Sequence, residues 1–227
     1  MADVAALSDI GRLRGTNQDR YLTLRLGNAI LLAVADGIGG QPGGDVASAA
    51  AVDALAGGYD PGASDVAASL SSALRGVNDA VIRATAERGY HTAGTTLVAA
   101  VVRGSDLAVA NLGDSRAYLV REGVARQITA DHSGLFPGSI TRFVGDPRGV
   151  APDVFVERLR SNDRLVLCSD GLTLNVSPEE IAAAVIASPP ERAAASLVAL
   201  ANQRGGQDNI TVVVYAQPGR WRLLRRS

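Results

Sequence analysis

The sequence predicts an α+β fold: antiparallel sheets with helices layered outside them. Three observations carry that prediction. Short runs rich in β-branched residues recur along the chain, and several neighbouring runs are separated by tight-turn signals. The helical patterns come in two pairs instead of alternating with the strands, which argues against βαβ units and a parallel sheet.

Each element can be justified in chain order. Residues 21–26 and 29–35 read as strands joined at Gly27-Asn28, a pair suited to a two-residue hairpin turn. Residues 44–55 and 64–88 are alanine-rich, with apolar residues three and four apart, and read as a helix pair. Strands follow at 95–102 and 107–111 around Gly104, and at 116–120 leading into Gly123. Further strands are expected at 154–159 and 164–169. The second helix pair is expected at 177–187 and 190–203. There, Ser177 followed by Pro178, Glu179 and Glu180 supplies a cap, a tolerated proline and favourable charge at the positive end. A last strand is expected at 209–216. No internal repeat or long linker divides the chain, so residues 1–217 read as one domain and 218–227 as a basic tail.

Composition narrows the chemistry. The chain has 227 residues, 47% hydrophobic and 20% charged, which describes a protein with a real core. A net charge of −1 gives no global attraction to nucleic acid. All 22 basic residues are arginine, which excludes a Walker P-loop and a lysine-dependent kinase site. The one cysteine, Cys168, cannot form a disulfide within the chain and fits a reducing compartment. No charged-then-apolar leader opens the sequence, and no apolar run is long enough to span a bilayer. A soluble cytoplasmic protein is expected.

The chemistry-bearing pattern is a set of aspartates at strand ends. Asp36 ends the run LLAVAD and is followed by Gly37, Ile38, Gly39 and Gly40. Asp114 follows VANLG, Asp170 follows RLVLCS and precedes Gly171, Asp208 precedes the last strand, and Asp19 precedes the first expected one. Aspartate and glycine are common turn residues, so each alone reads equally well as a turn. Five together at the edges of a packed sheet would repel one another unless a cation neutralised them. Oxygen-only ligands select hard cations, Mg²⁺ or Mn²⁺ in preference to Zn²⁺. Other chemistries fail on spacing: six residues after Cys168 stands Leu174, where a cysteine-based phosphatase needs arginine, and no G-x-S-x-G motif occurs. His132 in TADHS is open to two readings, a loop hydrogen-bonder or a group at the rim of the site.

The segments SDIGRLRGTNQDRY, VADGIGG, TAGTTLVAAVV, NLGDSRAYL, ITADHS, ITRFVG, LCSDGLT and GGQDNITVVV occur in this order. Together they resemble the motifs of the metal-dependent serine/threonine protein phosphatases of type 2C, the PPM family, in its bacterial form. The resemblance implies a four-layer α/β/β/α sandwich of two antiparallel sheets flanked by helix pairs. It implies that Asp36 bridges two Mn²⁺ or Mg²⁺ ions with the Gly37 carbonyl, that Asp170 and Asp208 hold the first ion, and that Asp19 acts near the second. Asp114, with Asp170, matches a third-ion site, and Arg14 would grip the substrate phosphate. Hydrolysis of phosphoserine and phosphothreonine by a metal-activated water follows, with phosphoproteins as substrates and a bacterial Ser/Thr kinase as the opposing partner. The alternative is a catalytically silent module of the same fold that binds phosphoproteins.

Three departures from the family pattern stand out. Ile38 occupies a position where eukaryotic relatives commonly carry a histidine that protonates the leaving oxygen, so the acid would be water, a metal ligand or His132. The usual flap between DHS and TR is reduced to the short step from Ser133 to Ile140. Leu174 stands where members often have aspartate. The tail carries Arg220, Trp221, Arg222, Leu223, Leu224, Arg225 and Arg226. Such a composition suits an anionic membrane surface, but a frayed terminus is the simpler reading.

Overall fold

The computed structural model describes residues 4–38, 42–136 and 139–219. The basic tail from Arg220 onward lies outside these described residues, as do Gly39 and Gly40. The strands are β1 (Val4–Asp9), β2 (Asp19–Leu26), β3 (Ala29–Asp36), β4 (Leu97–Arg103), β5 (Asp106–Leu112), β6 (Arg116–Arg121), β7 (Val124–Gln127), β8 (Asp153–Arg158), β9 (Arg164–Cys168) and β10 (Ile210–Ala216). The helices are α1 (Gly44–Gly58), α2 (Val66–Ala86), the single turn α3 (Asp170–Thr173), α4 (Pro178–Ala187) and α5 (Pro190–Gln203). They build two five-stranded antiparallel sheets, ordered β1-β10-β9-β6-β7 and β2-β3-β4-β5-β8.

Strand periodicity sorts the apolar residues into layers. In β3, Leu31, Ala33 and Ala35 face α1 and α2, packing with Ala47, Ala51 and Leu55 of α1 and with Leu70, Leu74, Val77 and Val81 of α2. The alternate residues Leu32 and Val34 face the other sheet and meet Ala117, Leu119, Leu165, Leu167 and Val213. The outer face of that second sheet packs Val166, Val212 and Val214 against Ile181, Val185, Leu197 and Ala201 of α4 and α5. The result is the expected α/β/β/α sandwich. Because β3, β4 and β5 are covered on both faces, they read as nearly continuous apolar runs.

Local chemistry places the turns and caps. Leu26 pairs with Ala29 across Gly27-Asn28, Arg103 pairs with Asp106 across Gly104, and Arg121 pairs with Val124 across Glu122-Gly123. Both Glu122 and Gly123 have positive φ, 52° and 89°, as a type I′ turn requires. Ser177 forms a full capping box with Glu180, and Asp65 caps α2 through Ala68 N–H at 3.0 Å.

The expectations differ from the structure at three places. β1 and β7 were absent from the expected strands, since VAALSD is poor in β-branched residues and VARQ is too short to show alternation. Both become strands by pairing with β10 and β6. Residues 95–96 do not begin β4: Thr95 makes only isolated bridges to Gly37 and Val144. Among the described residues no helix is long and apolar enough to cross a membrane.

Leu32 is fully buried between the sheets. Leu32→Ala is expected to cost about 2–5 kcal/mol, because rigid sheets on both sides cannot collapse into the void. Urea unfolding should show a lower midpoint with an unchanged slope; a loss under 1 kcal/mol would mean that the two sheets do not pack as described.

Candidate metal centre and active site

The two sheets deliver carboxylates to one end of the sandwich. In the first hairpin, β2 begins at Asp19 and β3 ends at Asp36, so the two aspartates are direct cross-strand partners. Asp114 follows β5. From the other sheet, Asp170 follows β9, and Asp208 precedes β10, which runs antiparallel beside it. Asp36, Asp114, Asp170 and Asp208 line one cavity of about 320 Å³, together with Arg14 and Gly37. Ile38 and Ile140 form its apolar wall. Asp19 does not line the cavity and is buried beside Asp36. A larger hollow of about 690 Å³ runs beside α1 and α2. Its aspartates are engaged locally, Asp60 with Gly62 N–H at 2.8 Å and Asp65 in its helix cap, so no chemistry converges there.

Glycine is required where the chain crowds the cavity. A Cβ on Gly37 would lie 2.5 Å from the Gly44 carbonyl at the start of α1, and one on Gly171 would lie 2.0 Å from the Asn209 carbonyl oxygen. The glycines beside Asp36 and Asp170 therefore let neighbouring backbone close around the carboxylates. The bridge joining Gly37 to Thr95 runs through Ile38 N–H to the Gly94 carbonyl and Thr96 N–H to the Asp36 carbonyl. The Gly37 carbonyl takes no part in it.

The electrostatics of the cluster are unfavourable without a counter-charge. Burial drives the Asp36 carboxyl well above its usual range, and the charges of Asp19, Asp170, Asp208 and Asp114 push it further. Burial, with Asp114 and Asp208 nearby, raises Asp170 to about 7. Burial raises Asp19 to about 6 against hydrogen bonds that pull the other way, and burial also raises Asp114. Asp19 Oδ1 and Asp170 Oδ1 are buried and have no hydrogen-bond partner among the described residues. Orphaned buried carboxylate oxygens are costly, and their common remedy is a cation. Every donor facing the cavity is an oxygen, which suits Mg²⁺ or Mn²⁺. Among the described residues these carboxylates do not close into a ready-made cage, so water has to complete any cation's shell.

Short polar side chains hold the cluster in place. Thr95 Oγ1 donates to the Asp36 carbonyl at 2.8 Å, and Asp36 N–H donates to Thr96 Oγ1 at 3.1 Å. Thr96 Oγ1 also shares a 2.7 Å bond with Ser115 Oγ, next to Asp114. Ser169 Oγ donates to Asp19 Oδ2 at 2.7 Å and accepts from Thr211 N–H at 3.0 Å. Asn209 ties the Arg14 loop down: its Nδ2 donates to the carbonyls of Ile10 and Thr16, and its Oδ1 accepts from Gln18 N–H. Arg14 Nη2 donates to Asp208 Oδ2 at 2.6 Å. Sequence reasoning missed this hydroxyl and amide scaffold, although Ser115, Ser169 and Asn209 each adjoin a motif aspartate.

The structure decides the open reading of His132. The ring is buried, does not line the cavity and has both nitrogens engaged, Nδ1 with Gly113 N–H at 3.0 Å and Nε2 with Asp153 Oδ2 at 3.0 Å. It is not positioned to protonate a leaving group. Cys168 is buried at the end of β9, paired between β10 and β6, and burial pushes its thiol up to about 12, so it is inert.

The raised carboxyls have a measurable consequence. Each retains a proton in the fold that the unfolded chain, with aspartate near about 3.9, has released. The metal-free fold should therefore lose stability as pH rises from about 4 through about 7. Asp153 and Glu180, both held at about 2 by arginine partners, oppose the trend only below about pH 5, where the unfolded carboxyls still bind protons, and are neutral to it above. In EDTA, Tm should be lower at pH 8 than at pH 5, and Mn²⁺ should restore it more at pH 8. A Tm that rises across this window would contradict the description of the cluster.

Comparison with known proteins agrees with this geometry. The family model described as Protein phosphatase 2C matches residues 14–205. The chain is 37% identical over 231 residues to the serine/threonine protein phosphatase PstP of Mycobacterium tuberculosis; the match covers 92% of this chain and 44% of that longer protein. It is 36% identical over 234 residues to the serine/threonine phosphatase stp of Listeria monocytogenes, covering 91% of this chain and 92% of the relative. A solved catalytic domain of PstP, in complex with two manganese ions, superposes with a TM-score of 0.83 at 35% identity, covering 94% of this chain and 97% of that one. The chain belongs to the protein phosphatase 2C family, the metal-dependent serine/threonine phosphatases, in the form that bacteria carry.

Proposed function

We propose that this chain removes phosphate from phosphoserine and phosphothreonine on cytoplasmic proteins and so opposes a bacterial Ser/Thr kinase, with residues 1–217 as its phosphatase domain. The observation that carries the reading is the ring of carboxylates with raised proton affinity and two orphaned oxygens, Asp19 Oδ1 and Asp170 Oδ1. In this reading Asp36 and the Gly37 carbonyl would help to hold both Mn²⁺ or Mg²⁺ ions. Asp170 and Asp208 would hold the first, Asp19 would serve the second, and Asp114 with Asp170 would take a third. Bound cations would supply the positive charge that acidifies an attacking water and neutralises the phosphoryl oxygens. The intact carboxylate set favours this reading over a silent phosphoprotein-binding module.

The chain's own residues divide the remaining work. Arg14 presents a planar fork to the phosphate, aimed by its bond to Asp208. Ile38 and Ile140 wall the cavity with apolar surface and offer no proton. The leaving serine or threonine oxygen therefore takes its proton from water. Ser133 and Ile140 pair in an isolated bridge and are seven positions apart in the sequence. So small a flap leaves the cavity accessible to phosphorylated segments of folded proteins.

Hydrolysis of p-nitrophenyl phosphate and of phosphothreonine peptides should require added Mn²⁺ or Mg²⁺. It should vanish in EDTA, survive thiol alkylation, and fall by orders of magnitude in Asp36→Asn and Asp170→Asn. Full activity in chelator would end the proposal. Arg14→Lys keeps the charge but loses the fork, so KM should rise more than kcat falls. Steady-state kinetics indistinguishable from the parent would remove Arg14 from the site.

A further inference from the structure

We propose that His132 is a positioning residue for Asp114, and that it ties Asp114 to the Ile140–Thr141 edge of the cavity. The inference rests on the ligand role proposed above for Asp114.

Gly113, the residue before Asp114, is held at both of its backbone polar groups. Gly113 N–H donates to His132 Nδ1 at 3.0 Å. The Gly113 carbonyl accepts from His132 N–H at 3.0 Å and from Asn111 Nδ2 at 3.1 Å. The residues after Asp114 are pinned as well, Ser115 by Thr96 and Arg116 by its fork on Asp131, the neighbour of His132. Asp114 is thus the cavity-facing member of a segment whose other members are all tied back.

The imidazole is oriented from its far side. Because Nδ1 accepts a hydrogen bond from Gly113 N–H, the ring's own proton sits on Nε2 and is donated to Asp153 Oδ2. Arg142 forks onto Asp153, with Nη1 to Oδ1 at 2.9 Å and Nη2 to Oδ2 at 2.6 Å. The same histidine's carbonyl accepts from Thr141 N–H at 2.7 Å and from Thr141 Oγ1 at 2.9 Å. Thr141 adjoins Ile140, which pairs with Ser133 and lines the cavity. One residue therefore joins the backbone beside Asp114 to the Ile140 edge, and a displacement of that edge would pull on the carboxylate through it. A side chain of equal bulk but no acceptor would fill the space and leave Gly113 N–H unpaired.

A double-mutant cycle with Asp114→Asn tests this. In the Asp114-containing protein, His132→Phe should lower kcat about 10- to 100-fold with KM nearly unchanged, the usual range for an outer partner of a ligand. Calorimetric titration with Mn²⁺ should lose its weakest binding event while the tighter ones remain, and Gly113 N–H should exchange faster with solvent in the metal-free protein. His132→Asn, whose side-chain oxygen falls near the place of Nδ1, should recover most of the loss. In Asp114→Asn, His132→Phe should cost no further kcat, although the same fall in Tm recurs. If Asp114→Asn turns over like the parent, the ligand role of Asp114 fails and the positioning role with it. If Asp114→Asn is impaired but His132→Phe costs the same factor in both backgrounds, the positioning role alone is overturned. Should His132→Phe not fold, Asp153→Asn loosens the ring from its other side and takes its place in the cycle.

Discussion

The opposition of Asp19 and Asp36 across β2 and β3 is the constraint on which the site depends. Two carboxylates placed directly opposite on a sheet repel, and burial multiplies the penalty. The hairpin turn sets their opposition: Gly27-Asn28 makes Leu26 pair with Ala29, and the ladder of eight pairs then runs without a bulge to Asp19 and Asp36. A slip of one residue would turn every apolar residue of β3 to the wrong layer. The same turn chemistry therefore fixes the core and the site together.

The two-sheet architecture follows from how the carboxylates are supplied. Asp19, Asp36 and Asp114 come from the β2-β3-β4-β5-β8 sheet, while Asp170 and Asp208 come from the sheet containing β9 and β10. Neither sheet holds the set alone. The inter-sheet core of Leu32, Val34, Leu165, Leu167 and Val213 keeps them in register. Full burial of each such side chain contributes about 1.5–3 kcal/mol, and this apolar burial offsets the unfavourable crowding of charge at the end of the sandwich.

Around the charged cluster, rigidity comes from small hydroxyl and amide groups and from arginine forks. Thr96 braces both Asp36 and the segment of Asp114, and Ser169 joins Asp19 to the strand that follows Asp208. Arg116 and Arg142 each grip an aspartate through two nitrogens, a geometry that lysine cannot reproduce. In a chain without lysine, planar pairing is the available way to anchor loops near the site.

The sequence by itself determined the layers, most strands, both helix pairs, the hairpin turns and the capping box at Ser177, because each is written in local periodicity or in the chemistry of adjacent residues. It also placed aspartates and glycines at the strand ends. It did not show β1 or β7, whose short segments become strands only through their partners. Nor could it show which polar groups meet: Ser169 and Asp19 are 150 residues apart, and Arg14 and Asp208 are 194 apart. Only the tertiary structure decided that Asp19 Oδ1 and Asp170 Oδ1 are buried without partners, and that His132 sits behind Asp114 and not at the rim. Hydrogen bonding and desolvation act between groups brought together by folding, and no local pattern records which groups those are.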